Sequence, residues 1–423
     1  MDHRHIMPLI FFGLAAIFTS CGSGGKRDNP TDSTEISPDT IRRDTITNPI
    51  RPTSALFLMD ISKSMKGYFG TGDSRLLGVV NSFLNVSETN PVIHWFGTEE
   101  MKSGVSKNDF VNLTQQSISW ADESDIRAML QSMVTQSGKY NVCFLLTDGI
   151  LSGSDDQIRN SPNRNYNIEK REWMSGEIGN TFQNADSITA LVVMYESKFT
   201  GNYSCYNNSG KYLKDKSRPY YIIAIGKWNY VKYVEQQLNS ESSALNKPYK
   251  NYALFGDEET YKHIKFSYRS GIKNDTNGCL VIKSDIKRDG GDVILTSDIS
   301  TLPDYIKTND YFRSNLKLFV QENNKPEKEL AISAENIVVD TSPEGGKICL
   351  LTIPSRKLAG RALNIRLRYK LPLWVKTFSD DDDSDIGSNL NEMNKTFNLE
   401  YLMNGFAGLQ KTENIMNQTI KFK

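Results

Sequence analysis

Uninterrupted apolar runs alternate with amphipathic segments in the first half of the chain, and shorter alternating runs fill the second. The uninterrupted runs are 54–60 SALFLMD, 92–97 VIHWFG, 142–148 VCFLLTD, 188–195 ITALVVMY and 220–226 YYIIAIG, and they predict strands. Between or after them, SRLLGVVNSFLNV, SDIRAMLQSMV, NIEKREWMSGEIGNTFQ and YVKYVEQQLN place apolar residues at helical spacing. Near-continuous apolar strands separated by helices predict an α/β unit, a mostly parallel sheet with helices on both faces, over 53–240. Beyond about 260 the runs CLVIKSDI, DVILTSDI, LKLFVQE, ELAISAENIVV, KICLLTI and ALNIRLRYKL, punctuated by turn residues, predict an antiparallel β-sandwich over 260–376. Residues 377–423 add an acidic loop, FSDDDDSDIGSN, and a segment, TFNLEYLMNGFAGLQ, that predicts one helix packing back on the body of the protein. The acidic run lacks the spacing, central glycine and closing glutamate of a helix–loop–helix calcium site, and reads as a solvated surface.

The 423 residues exceed the usual single-domain range, in line with two folded units. Lysine plus arginine (50) balance aspartate plus glutamate (50), so no global field recruits nucleic acid or an anionic membrane. Cys143, Cys279 and Cys349 sit inside apolar runs, as small buried hydrophobes do. Cys205 is in polar surroundings with no CxxC or histidine near it for zinc. A disulfide between Cys279 and Cys349 is open to an exported chain.

The amino terminus has a different character. His3 and Arg4 precede an apolar stretch from Ile6 to Phe18, too short for a bilayer core of about 30 Å but of signal-peptide length. The following FTSCGSGG places Cys21 after small residues and resembles the lipobox of bacterial lipoproteins, with Phe18 where that pattern has leucine. The resemblance implies a signal peptide over 1–20 and a lipid-modified Cys21 that tethers the chain to the cell envelope, as an outer-membrane lipoprotein on the periplasmic side or the surface. Residues 21–52 are rich in Gly, Ser, Thr, Asp and Pro and read as a flexible linker. Its DTI at 39 and 44 resembles a short O-glycosylation sequence of Bacteroides-type bacteria.

The chemistry gathers where strands end. In an open parallel sheet, ligands collect at the carboxyl ends of strands, where loops and helix starts expose unsatisfied amides. There LFLMDISKSMKGYFG places Asp60, Ser62 and Ser64 at alternate positions, and FLLTDGILSG brings Asp148 and Gly149 to the same edge. Converging carboxylates repel unless a cation lies between them, and hard divalent ions favour such oxygen donors. The alternative for either serine is a plain helix cap.

D-I-S-K-S at 60–64 and T-D-G at 147–149 resemble the D-x-S-x-S and T-D-G signatures of the von Willebrand factor type A (vWA) family, over about 53–240. The resemblance implies a Rossmann-like vWA fold, here followed by an immunoglobulin-like sandwich, with two further strand–helix units after the T-D-G strand. It also implies a metal-ion-dependent adhesion site. That site would take Mg2+ or Mn2+ on Asp60, Ser62, Ser64 and Asp148, and on a hydroxyl opening a mid-domain helix. Where the family commonly shows threonine this chain has Ser124 of ESDIRAML, with Thr114 as the fallback. One metal position would stay open for an acidic side chain of a protein partner.

Catalytic machinery is sparse. Of four histidines, His3 and His5 belong to the signal, His94 lies in an apolar run, and His263 has no nucleophile motif nearby. The expectation is therefore a non-enzymatic binding protein for adhesion or envelope assembly. Two alternatives stay open: a metal-independent scaffold, and a metal-assisted hydrolase.

Overall fold

The structure is a computed structural model. It describes residues 49–423 apart from 70–74, 113–117, 152–163, 186, 206–209, 247–248, 257–260, 262–263, 271, 275–279, 323–324, 387, 389–392 and 411–412. The signal, Cys21, the linker, Thr114, His263 and Cys279 lie outside the described residues. Cys143 and Cys349 are buried free thiols, and Cys205 is buried as well, where polar surroundings were expected.

A seven-stranded sheet organises the first half. Its strands are β1 (Ala55–Asp60), β2 (Val92–Phe96), β3 (Glu100–Val105), β4 (Val142–Thr147), β5 (Ile188–Ser204), β6 (Gly210–Lys227) and β7 (Asn251–Phe255), in the order β3-β2-β1-β4-β6-β5-β7. β1 is parallel to both β2 and β4, and the remaining neighbours are antiparallel. The sheet is thus mixed, where mostly parallel pairing was expected. The cause is local. The apolar runs at 188–195 and 220–226 continue into 196–204 and 210–219 and pair with each other from Ile188↔Lys227 to Ser204↔Gly210, making one long hairpin. No helix separates them, and β6 takes the place beside β4. The two strand–helix units implied after the T-D-G strand are therefore replaced by a hairpin and a single later helix–strand step.

Alternate strand residues feed two cores, one on each face of the sheet. Phe57 and Met59 point with Phe144 and Leu146 into the first, covered by α1 (Arg75–Phe83) through Leu76, Val80 and Phe83. A later helix, α4 (Trp228–Asn239), adds Val231 and Val234. Leu56, Leu58, Cys143 and Leu145 face the second, covered by α2 (Ile126–Gln136) and α3 (Arg164–Gln183). This two-sided burial explains why β1 and β4 carry no polar alternation. The expected carboxy-terminal helix forms as α5 (Leu399–Phe406) and packs on α3 in that second core, with the Phe406 ring 5.0 Å from Phe182 and 5.4 Å from Phe255.

The later strands make two antiparallel four-stranded sheets. One orders Ile337–Thr341, Lys347–Pro354, Asp292–Asp298 and Ser267–Ser270; the other orders Lys328–Glu329, Leu316–Glu322, Arg361–Arg368 and Asn414–Lys421. Their inner residues, among them Leu295, Leu351, Leu318 and Ile365, share one core. The last strand, Asn414–Lys421, is not predicted by the hydrophobic pattern, because its NIMNQTIK alternation is short and polar. It pairs along Arg361–Arg368 and closes the second sheet. The chain therefore leaves the sandwich at about 370, covers the α/β sheet with α5, and returns. Among the described residues no helix is long and apolar enough to cross a membrane.

Candidate functional site

β1 and β4 are neighbours and run the same way, so Asp60 and Asp148 leave the sheet at one edge. Both are nearly sealed from solvent, 1% and 5% exposed. The Asp60 carboxylate is held from three directions. Its Oδ1 accepts from the Ser62 amide at 2.9 Å, and its Oδ2 accepts from Thr147 Oγ1 at 2.9 Å and Ser124 Oγ at 3.3 Å. The Ser62 and Ser64 hydroxyls face each other at 2.8 Å. Asp148 Oδ1 accepts from the Ile150 amide at 3.2 Å, whereas its buried Oδ2 has no hydrogen-bond partner among the described residues.

The loops that carry these groups are stitched together. Ala121 donates its amide to Ile61 O at 2.9 Å and accepts from the Lys63 amide at 2.9 Å, so the loop before α2 lies against the D-I-S-K-S loop. Ser62 stands at the N-cap position of the short helix Lys63–Lys66 but makes no capping bond, so the simple cap reading of that serine fails. At α2 the cap is Asp125, whose side chain accepts from the amides of Arg127 at 3.0 Å and Ala128 at 3.3 Å. Ser124, one residue earlier, is thereby free to reach Asp60. Thr147 went unnoticed in the sequence as a contributor; its place at the end of β4, beside the carboxyl end of β1, was the available signal.

Burial dominates the electrostatics. Desolvation, reinforced by Asp148, pushes the Asp60 carboxyl up from 3.8 to about 7, and desolvation likewise raises Asp148. Burial thus favours the protonated form of both carboxyls, and a cation between them would oppose that.

Known protein families, curated proteins and solved structures give no significant match to this chain. The reading of the site therefore rests on its own geometry.

Asp60, Ser62, Ser64, Ser124 and Asp148, the five expected ligands, all meet at this edge. Two carboxylates and three hydroxyls form an all-oxygen donor set suited to a hard divalent ion, and Asp148 Oδ2, without a hydrogen-bond partner among the described residues, is the kind of atom such an ion satisfies. The donor set fits Mg2+ or Mn2+ in chemical type.

Two further elements border the site. The β5–β6 hairpin crosses the segment after D-I-S-K-S so tightly that a Cβ on Gly67 would lie 2.2 Å from the Phe199 ring. Gly149 has φ +73°, and a Cβ there would lie 2.6 Å from Tyr221, whose hydroxyl pairs with Thr396 Oγ1 at 2.9 Å. The acidic segment also reaches this region. Asp381, Asp382 and Asp385 are exposed as expected, but Ile386 is buried and Asp383, also buried, accepts from Tyr203 OH at 2.7 Å. The run is therefore only partly a solvated surface. His94 stands on β2 with its Nδ1 3.0 Å from Glu100 Oε2, outside the carboxylate cluster.

Proposed function

We propose that this chain is an exported, lipid-anchored protein whose α/β layer is a variant vWA domain, and that it binds a protein partner through Mg2+ or Mn2+ held by Asp60, Ser62, Ser64, Ser124 and Asp148. The observation that carries this reading is that Asp60, Ser62, Ser64 and Ser124 gather at the sheet edge where Asp148 also leaves its strand, with a buried Oδ2 that has no hydrogen-bond partner among the described residues. An ion there supplies positive charge between the carboxylates and an open position for an acidic side chain of the partner. The lipobox-like Cys21 supplies the tether, and the sandwich acts as a spacer or second contact surface.

Calorimetric titration of the mature chain should show Mg2+ uptake that Asp60→Ala abolishes, and capture from envelope extract should be lost in EDTA. Absence of uptake at millimolar ion removes the reading. One observation favours the metal-independent scaffold instead: a buried guanidinium, Arg218, already lies near Asp148 and tends to offset its charge. Capture that persists unchanged in EDTA selects that alternative.

A further inference from the structure

Between Ser379 and Asn398 the chain makes an excursion that begins and ends at one point, because Ser379–Asp380 and Thr396–Phe397 pair in parallel. Its foot sits on the loop that carries Asp148. Leu151 donates its amide to Phe397 O at 3.4 Å and accepts at its carbonyl from Asn398 Nδ2 at 2.9 Å. Tyr221, whose ring packs over Gly149, pairs its hydroxyl with Thr396 Oγ1. Leu399 enters the second core whereas Ile386 is buried in the first, so the segment passes from one face of the sheet to the other. Its middle is held by charge rather than by apolar packing. Buried Asp383 accepts from Tyr203 OH at 2.7 Å, and the buried Arg218 guanidinium stacks over the same ring at 4.4 Å and donates to the carbonyls of Met393 and Lys395, each at 3.4 Å. Among the described residues of 381–395 only Ile386 and Met393 bury apolar side chains. Tyr203 and Arg218 stand on the β5–β6 hairpin, whose Phe199 lies on Gly67, so these bonds link the segment to both loops of the site.

Such an attachment opens at modest cost, since water supplies the same hydrogen-bond partners once the segment lifts. Asn398 adds strain at the foot. Its φ of +61° lies in the left-handed region, and its buried Oδ1 has no hydrogen-bond partner among the described residues. We infer that residues 379–398 form a strap latched by Asp383 on Tyr203, and that its docking positions the loop from Asp148 to Leu151. Ion binding at Asp148 and docking of the strap then favour each other. Tyr203, Arg218 and Asp383 are positioning residues, acting on the site through the strap. The coupling to an ion rests on the proposed function; the latch does not.

The experiment follows amide hydrogen exchange in the full mature chain and in Tyr203→Phe, in EDTA and in millimolar MgCl2, alongside calorimetric Mg2+ titration. In the parent, amides at 380–386 and 393–398 should exchange by local opening, faster than those of the sandwich strand Leu316–Glu322. Tyr203→Phe removes only the hydroxyl that Asp383 accepts from. It should speed the strap amides about tenfold or more in EDTA, together with those at 149–151, and leave the edge strand Lys328–Glu329 at its parental rate. Mg2+ should slow the strap amides of the parent about fivefold or more. Strap amides that keep pace with Leu316–Glu322 in the parent, or that ignore Tyr203→Phe, overturn the inference, as does Mg2+ uptake that leaves strap exchange unchanged. If Tyr203→Phe does not fold, local opening of the strap and its response to Mg2+ in the parent decide alone. Local opening hastened by Tyr203→Phe in a chain that takes up no Mg2+ supports the latch and rejects the proposed function instead.

Discussion

A divalent ion at the Asp60–Asp148 pair must displace a proton, and this sets a measurable pH dependence. Asp60 holds its proton up to about pH 7 in the ion-free protein, because burial and the neighbouring Asp148 both oppose its ionised form. Ion binding requires the carboxylate, so affinity falls about tenfold for each pH unit below that value and levels off above it. At pH 5.5, some 1.5 units lower, Mg2+ should therefore bind about 30-fold more weakly than at pH 8. Titration calorimetry in two buffers of different ionisation enthalpy measures the coupled proton directly. About one proton should be released per ion near pH 6 and almost none at pH 8. An exposed carboxylate site gives the opposite picture, with flat affinity and no proton release over this range. Flat affinity in the parent chain would refute the argument that these carboxylates are desolvated together.

The same carboxyl makes the ion-free protein lose stability as pH rises. The folded state keeps a proton up to about 7 that the unfolded chain releases near 3.8, so the folded state binds more protons across this window and stability falls through it, by at most about 4 kcal/mol. Comparing unfolding of the parent with Asp60→Asn in EDTA at pH 4 and pH 7.5 isolates this contribution, and equal slopes would remove it. Ser124 and Asp125 should separate cleanly: Asp125→Ala loses the α2 cap and about 1 kcal/mol of stability, whereas Ser124→Ala weakens Mg2+ binding and leaves thermal unfolding in EDTA nearly unchanged. Phe406→Ala removes a ring packed on Phe182 and Phe255 and should cost about 3–5 kcal/mol in denaturant unfolding; a loss below 1 kcal/mol would mean that α5 is only peripherally attached.

Legibility in the sequence followed the range of the interactions involved. β1, β2 and β4 are buried on both faces, so their apolar runs are continuous and their limits were readable almost to the residue. The convergence of Asp60 with Asp148 follows from those strands alone, since adjacent parallel strands deliver their terminal residues to one edge. Ser124 was harder to place, because Ser124 and Asp125 are both competent caps and only the fold shows which hydroxyl or carboxylate turns toward the helix.

What escaped the sequence was carried by long-range pairing. KFTGNYS and GKYLKDKSR, the outer parts of the β5–β6 hairpin, are polar enough to read as loop, and their strand character comes from pairing with each other and from the inward turn of Phe199, Tyr203 and Leu213. Once those two segments pair, β6 must lie antiparallel to β5. The apolar part of β6 fills the place next to β4, antiparallel to it. That reversal has a chemical consequence. A parallel strand in this place would present its carboxyl end at the site edge, whereas reversed β6 presents its incoming end, and Arg218 lies there immediately before the buried run Pro219–Gly226. The departure from parallel pairing and the buried guanidinium at the incoming end of β6 thus share one cause.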